Sequence, residues 1–162
     1  LIEHVIERLR PQIGQMLINA NRNMESYARY GFPVVSDSLS NYQGPLAGFL
    51  AAMEQVQSDY ILTLPCDGPC LPDDLVQRLE SARLAAQADI AVAHDGQRMQ
   101  PVYALIATRL KPSLDAFLSR GERKIDKWYA EHKVALADFS DEPDTFLNIN
   151  TLEERDRFKP TH

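Results

Sequence analysis

Long apolar runs are missing from this sequence: no stretch approaches the roughly eighteen residues that a membrane-spanning helix needs. A secretory leader's apolar segment is absent as well, so the cytoplasm is the expected compartment. Cationic surplus is also missing. Lys and Arg total 17 against 23 Asp and Glu, a formal charge of -6, which argues against a surface built to lie along nucleic acid. Cysteine is scarce: Cys66 and Cys70, separated by three residues, match neither the CxxC redox spacing nor half of a four-ligand zinc set. They read as reduced thiols that pack. The four histidines, His4, His94, His132 and His162, are scattered and complete no metal site in sequence. Four catalytic or nucleotide-binding signatures are likewise absent: GxSxG, HExxH, the Walker sequence and GxGxxG.

What remains is an ordinary folding composition. At 162 residues, 44% hydrophobic and 25% charged, the chain predicts one domain over 1–162 with a substantial core. It opens LIEHVIERLRPQ, without Met and already inside an amphipathic helical pattern, so further polypeptide is expected before Leu1. Short strands are predicted at 15–19, 33–36, 60–64, 88–93 and 101–107, with 133–138 as an edge strand. Helices are predicted from Asn23 to Tyr30, from Pro45, from a first turn that holds Pro72, at 110–118, at 122–132 and after Thr151. Strands alternate with helices almost throughout. The predicted fold is therefore α/β: three layers, a mostly parallel sheet with helices on both faces.

In such sheets, ligands bind beyond the carboxyl ends of the strands. Asn19, Asp37 and Asp67 fall there. For Asn19 and Asp37 an Asx turn or helix cap is the commoner use of the residue. Asp67 differs, because Pro65 and Pro69 stiffen the loop on both sides and Pro72 is too distant for Asp67 to cap the next helix. One carboxylate at a strand exit suits Mg²⁺, which fills its octahedron with phosphate oxygens and water. In LNINT, Asn148 and Asn150 point to one side of an extended segment, either as a polar strand edge or as neutral ligands. Gly44 and Gly48 bracket GPLAG, where they serve either close backbone approach or a turn and tight helix packing. The basic turn RGERK, 120–124, is a solvated face or a phosphate neutraliser.

Taken in order, INANRN, VVSDSLSNYQGPLAG, LPCDGPCLPDDL, AHDGQRMQPVYAL, LSRGERKIDKWY and DFSDEPDTFLNINTLEE closely resemble the molybdenum cofactor guanylyltransferases. The resemblance implies a nucleotide-diphosphosugar-transferase-like, Rossmann-like fold. It also implies a Mg²⁺-dependent transfer of GMP from GTP to molybdenum-bearing molybdopterin. By that resemblance Asn19 and Asp37 contact guanosine, and Gly44 to Gly48 lie against the base. Asp67 is then the metal ligand and catalytic carboxylate, in contact with GTP. Asn150 is the second polar residue at the metal, with Asn148 beside it. Arg123 and Lys124, with Asn148 and Asn150, face the molybdopterin side, and molybdoenzymes or cofactor-biosynthesis proteins are the implied partners. Two departures stand out. The family's glycine-rich phosphate loop and its lysine are not among these residues, so the 162 residues alone are expected not to turn over GTP. Gly68 also stands where the family more often carries a small hydroxyl residue. Rival readings are a transferase using CTP or a sugar phosphate, and a non-catalytic nucleotide- or cofactor-binding module.

Overall fold

The computed structural model describes residues 2–20, 24–37, 44–65 and 70–146. The elements begin with α1 (Ile2–Leu9), which buries Val5, Ile6 and Leu9 on the face its spacing predicts. Then come β1 (Ile18–Asn19), α2 (Met24–Ala28), β2 (Val34–Val35), α3 (Pro45–Gln55) and β3 (Tyr60–Thr63). The rest are α4 (Leu75–Ala86), β4 (Ile90–His94), β5 (Met99–Ala107), α5 (Lys111–Ser119), α6 (Ile125–Tyr129) and β6 (Val134–Asp138). β1 and β2 form a small parallel pair, and the larger sheet has the order β3-β5-β4-β6.

The strand alternation of apolar residues explains the layers. Ile90 and Val92 of β4, with Ala104 and Ile106 of β5, point into a core shared with α3, α5 and α6. Their neighbours Ala91, Ala93, Tyr103 and Leu105 point the other way, into a second core against α1 and α4. The result is the three-layer α/β arrangement expected from the sequence. Gln12 ties two elements of the second layer: its amide nitrogen donates to Arg8 O and Pro72 O, and its oxygen accepts from Val76 N.

The strand directions refine the expectation. β3 and β4 both run antiparallel to β5, and β6 runs parallel to β4, so three strands of the larger sheet point one way and β5 alone is reversed. The cause is local. Between His94 and Met99 there is room only for a turn, whereas a parallel return needs a crossover of a dozen residues or so. Gly96, at φ +101°, occupies that turn. Asp95 locks it by accepting from Gln97 N, Arg98 N and Gln100 Nε2, and these bonds hold its carboxyl down at about 2.

Several expected boundaries shift. Helix α6 is shorter than 122–132, because Lys124 is extended at its N-cap and Ala130 ends it. Pro72 precedes α4 instead of occupying its first turn. β1 holds only two residues. β4 is covered on both faces, with Ile90 to Ala93 wholly buried, while Leu62 and Thr63 of β3 are half-buried. The cap at Asn23 and the helix after Thr151 lie outside the described residues.

A polar tie joins α5 to the turn after α6. Trp128 Nε1 donates to Ser113 Oγ at 3.1 Å, leaving the serine proton for His132 Nε2 at 2.8 Å. That bond needs an unprotonated imidazole nitrogen, and burial pushes the His132 pKa below its ordinary 6.5, with Glu131 opposing weakly. The unfolded chain therefore takes up the proton first, and the stability tied to neutral His132 is fully present above pH 6.5. It is lost as pH falls from 6.5 toward the lower folded value. A melting profile is expected to decline through that window in the native chain and to flatten there in His132→Gln. The carboxylates held low, Glu80, Asp95, Asp138 and Asp141, act only in more acid solution.

Candidate active site

Three residues singled out in the sequence come together from three separate elements. Asn19 closes β1 and Asp37 lies two residues past β2, so the parallel pairing of Asn19 with Val35 sets both at the same strand ends. Asn19 Nδ2 donates to Val35 O at 3.2 Å and to Asp37 Oδ1 at 3.0 Å. Gly48, in the first turns of α3, completes the group: a Cβ there would lie 2.4 Å from Asn19 Oδ1. The helix thus sits directly on the amide, and only glycine admits that approach. The two glycines of GPLAG turn out to have different uses. Gly44 has φ +83°, and no described atom lies within 4 Å of where its Cβ would stand; it serves the turn that delivers Pro45 to the first position of α3.

A methyl group at Gly48 would displace Asn19 and break its bond to Asp37. Gly48→Ala is expected to raise the KM of a substrate held at this group about fivefold, the effect of losing one hydrogen bond of about 1 kcal/mol. Its kcat is expected to hold, and steady-state kinetics check this.

The basic turn has local partners. Arg123 Nη1 donates to Leu118 O, in the last turn of α5, at 2.9 Å and to Glu122 O, in the turn that follows, at 2.6 Å. Arg120 pairs with Glu131 and lies over Phe117, and Lys127 approaches Glu122 at 3.8 Å. Lys124 is exposed at the N-cap of α6. These cations first close the α5–α6 junction, with local partners that a reading of charge alone misses.

Asp67, Asn148 and Asn150 lie outside the described residues. β3 leads to Leu64 and Pro65, just before Asp67 in sequence. Among the described residues no group of three or more His, Cys, Asp or Glu could hold a metal ion. Cys70 is half-buried, and its thiol is pushed up by that burial and by Asp144, which suits packing and not nucleophilic attack. No helix among the described residues is long and apolar enough to cross a membrane.

Residues 1–135 match the model of the MobA-like NTP transferase domain. The chain belongs to that family. A molybdenum cofactor guanylyltransferase of Shewanella loihica is 54% identical over 155 residues, 96% of this chain and 79% of the relative. One from Shewanella sp. strain MR-4 is 53% identical over 157 residues, 97% of this chain and 80% of the relative. Among solved structures, molybdopterin-guanine dinucleotide biosynthesis protein A of Archaeoglobus fulgidus superposes with a TM-score of 0.76 at 22% identity, over 96% of this chain and 82% of that one. The 2-C-methyl-D-erythritol 4-phosphate cytidylyltransferase of Thermus thermophilus does so at 0.68 and 16%, over 94% and 84%. Those two likenesses show the fold: a MobA-like transferase shares its layers with nucleotidyltransferases of differing substrate. In this MobA-like chain the Asn19–Asp37–Gly48 group is the described part of the candidate site.

Proposed function

We infer that this MobA-like transferase moves GMP from GTP onto molybdenum-bearing molybdopterin, releasing pyrophosphate and forming the guanine dinucleotide cofactor. One observation carries the reading: an amide–carboxylate pair, Asn19 and Asp37, is seated on Gly48 at the strand ends in a chain more than half identical to named guanylyltransferases. The Asn19 amide is already oriented by two acceptors, so its placement costs no further ordering when a nucleotide arrives. A carboxylate beside it suits guanine, whose ring N–H and exocyclic amine are neighbouring donors. The glycine surface of α3 lets a flat base approach the helix backbone.

In the reaction a terminal phosphate oxygen of molybdopterin attacks the α-phosphorus of GTP, and the bond from that phosphorus to the bridging oxygen of the β-phosphate breaks. Pyrophosphate leaves with the bonding pair. Asp67 and Asn150 offer an all-oxygen donor set, which fits Mg²⁺ completed by phosphate oxygens and water. Bound there, Mg²⁺ would neutralise charge on the triphosphate. Molybdoenzymes that use the dinucleotide cofactor are the recipients this reading implies.

The gene encoding these residues, expressed in a bacterial strain lacking its own guanylyltransferase, tests the assignment. Cofactor extracted from that strain is expected to contain the guanine dinucleotide. A cytosine dinucleotide in its place, or bare molybdopterin, would overturn the reading.

A further inference from the structure

β3, β4 and β6 run the same way, so their carboxyl ends share one edge of the larger sheet. At that edge β3 leads to Leu64 and Pro65, just before Asp67 in sequence. α3 packs on β3 and ends just before it at Gln55, so the first turns of α3, with Gly48, stand at the exit of β3. The Asn19–Asp37–Gly48 group therefore belongs to the same edge. β1 and β3 line one cavity of about 650 Å³, while β5 holds the opposite flank of β3. The group thus lies to one side of β3, and β4 and β6 lie to the other.

On that other side the strand ends carry a second polar pair. His94 ends β4 and Asp138 ends β6, in register with each other. Alternation sets both on the face of Ile90 and Val92, because Ala93, Ala137 and Phe139 belong to the opposite core. Gly96 N donates to His94 Nδ1 at 3.0 Å. A ring nitrogen that accepts carries no hydrogen, so the ring's hydrogen sits on Nε2, which has no partner among the described residues. The exposed Asp138 accepts from Ser140 N at 2.9 Å. That bond, the Ser140 hydroxyl and, more weakly, His94 hold its carboxyl below the usual range, and its remaining lone pairs are open. The mounting is tight: a Cβ at Gly96 would lie 2.9 Å from Ser140 Cβ, so the β4–β5 turn sits against the turn after β6. Leu136, two residues before Asp138 on the same face, is 54% exposed and forms an apolar ledge beside the pair.

An outward donor, a charged acceptor and an apolar ledge fit a flat heterocycle with a polar edge. A phosphate would meet the Asp138 charge and be repelled. The pterin ring of the acceptor carries a matching edge, an amino group and a ring N–H beside a carbonyl, the arrangement that guanine also carries. This edge is the part of molybdopterin most distant from its reacting phosphate. With that phosphate at the exit of β3 and guanine on the β1 side, the pterin lies toward β4 and β6, about 10 and 14 Å from β3 at the ordinary strand spacing.

We propose that His94 and Asp138 bind the pterin ring of the acceptor substrate. Asp138 accepts from the amino group and the ring N–H, His94 Nε2 donates to the carbonyl, and Leu136 supports the ring. The identity of the acceptor rests on the guanylyltransferase reading. The two heterocycles of the product then lie on opposite sides of β3, each against a donor–carboxylate pair.

Calorimetric titration of the gene product with metal-free molybdopterin, in the absence of GTP, tests this. Asp138→Asn and His94→Ala are each expected to weaken molybdopterin at least fivefold and to leave GTP affinity within twofold of native. His94→Gln, whose amide nitrogen can replace the Nε2 donor, is expected to recover most of the loss. Leu84→Lys, at an exposed position on α4, is expected to change neither affinity. On the native protein, free pterin is expected to displace molybdopterin at least tenfold better than lumazine, which carries oxygen in place of the amino group. Equal displacement by the two, or native molybdopterin affinity in both Asp138→Asn and His94→Ala, would overturn the proposal. So would an equal loss of GTP affinity, which assigns the pair to the nucleotide. Dinucleotide formation by the native gene product tests the underlying reading separately: product from CTP would overturn that reading and leave the pterin pair standing.

Discussion

Asp67→Asn is expected to lower the rate of guanylyl transfer about 10³-fold, equivalent to about 4 kcal/mol of transition-state stabilisation, while the melting temperature stays within a degree or two. The substitution keeps the size and the hydrogen-bonding shape of the side chain and removes only its charge. Pro65 and Pro69 bracket the position, so the loop's backbone restriction survives the change. A carboxylate used as a structural turn residue would tolerate Asn, the other common Asx-turn residue, with little loss. A carboxylate that holds Mg²⁺ would not, and the variant should also need more Mg²⁺ for half-maximal rate. Activity within threefold of native, at native Mg²⁺ dependence, would remove Asp67 from the reaction.

Trp128→Ala carries the largest expected cost in stability. Trp128 is fully buried on α6, among Phe117, Leu114 and Tyr129, and it is the anchor that holds α6 to α5. Its ring meets His132 edge-on at 5.2 Å between centroids, and its Nε1 donates to Ser113. Truncation opens a cavity and strips Ser113 Oγ of its donor, for a loss of about 3–5 kcal/mol. In a chain of this size the melting temperature should fall by about 6–20 °C. Trp128→Phe, which keeps most of the volume, should cost about half as much. Because Trp128 lies away from the Asn19–Asp37 pair, nucleotide affinity well below the lowered melting point should remain near native. A melting temperature unchanged in Trp128→Ala would contradict the packing described for α5 and α6.

The fold was largely legible because its signals are local. Helix-period faces such as Val5, Ile6 and Leu9, proline at the start of α3, and short apolar runs for strands all act within a few residues. β5's reversal was legible in principle as well: the turn Asp95-Gly96 is a hairpin signal, which the general strand–helix alternation overrode. The site was legible residue by residue but not as a constellation. Asn19, Asp37 and Gly48 sit at positions that spacing picks out, yet their contact spans 18 residues for one pair and depends on the tertiary seating of α3. The partners of the basic turn were not legible for a related reason. Charge in sequence does not show that Arg123 ends on the carbonyls of Leu118 and Glu122 or that Arg120 pairs with Glu131. Likewise, a buried-looking run at 60–64 gives no sign that one flank of β3 faces a cavity.

One measurement reaches directly the proposed selection of guanine at the Asn19–Asp37–Gly48 group. The gene product purified from the complemented strain is given molybdenum-bearing molybdopterin, Mg²⁺, and GTP and CTP in equal amounts, each labelled in turn at its α-phosphate. Label is expected in the dinucleotide cofactor from GTP, with roughly a hundredfold less from CTP, a discrimination of about 3 kcal/mol that Gly48→Ala should narrow. Equal labelling from both nucleotides, or preferential labelling from CTP, would contradict guanine selection at this group.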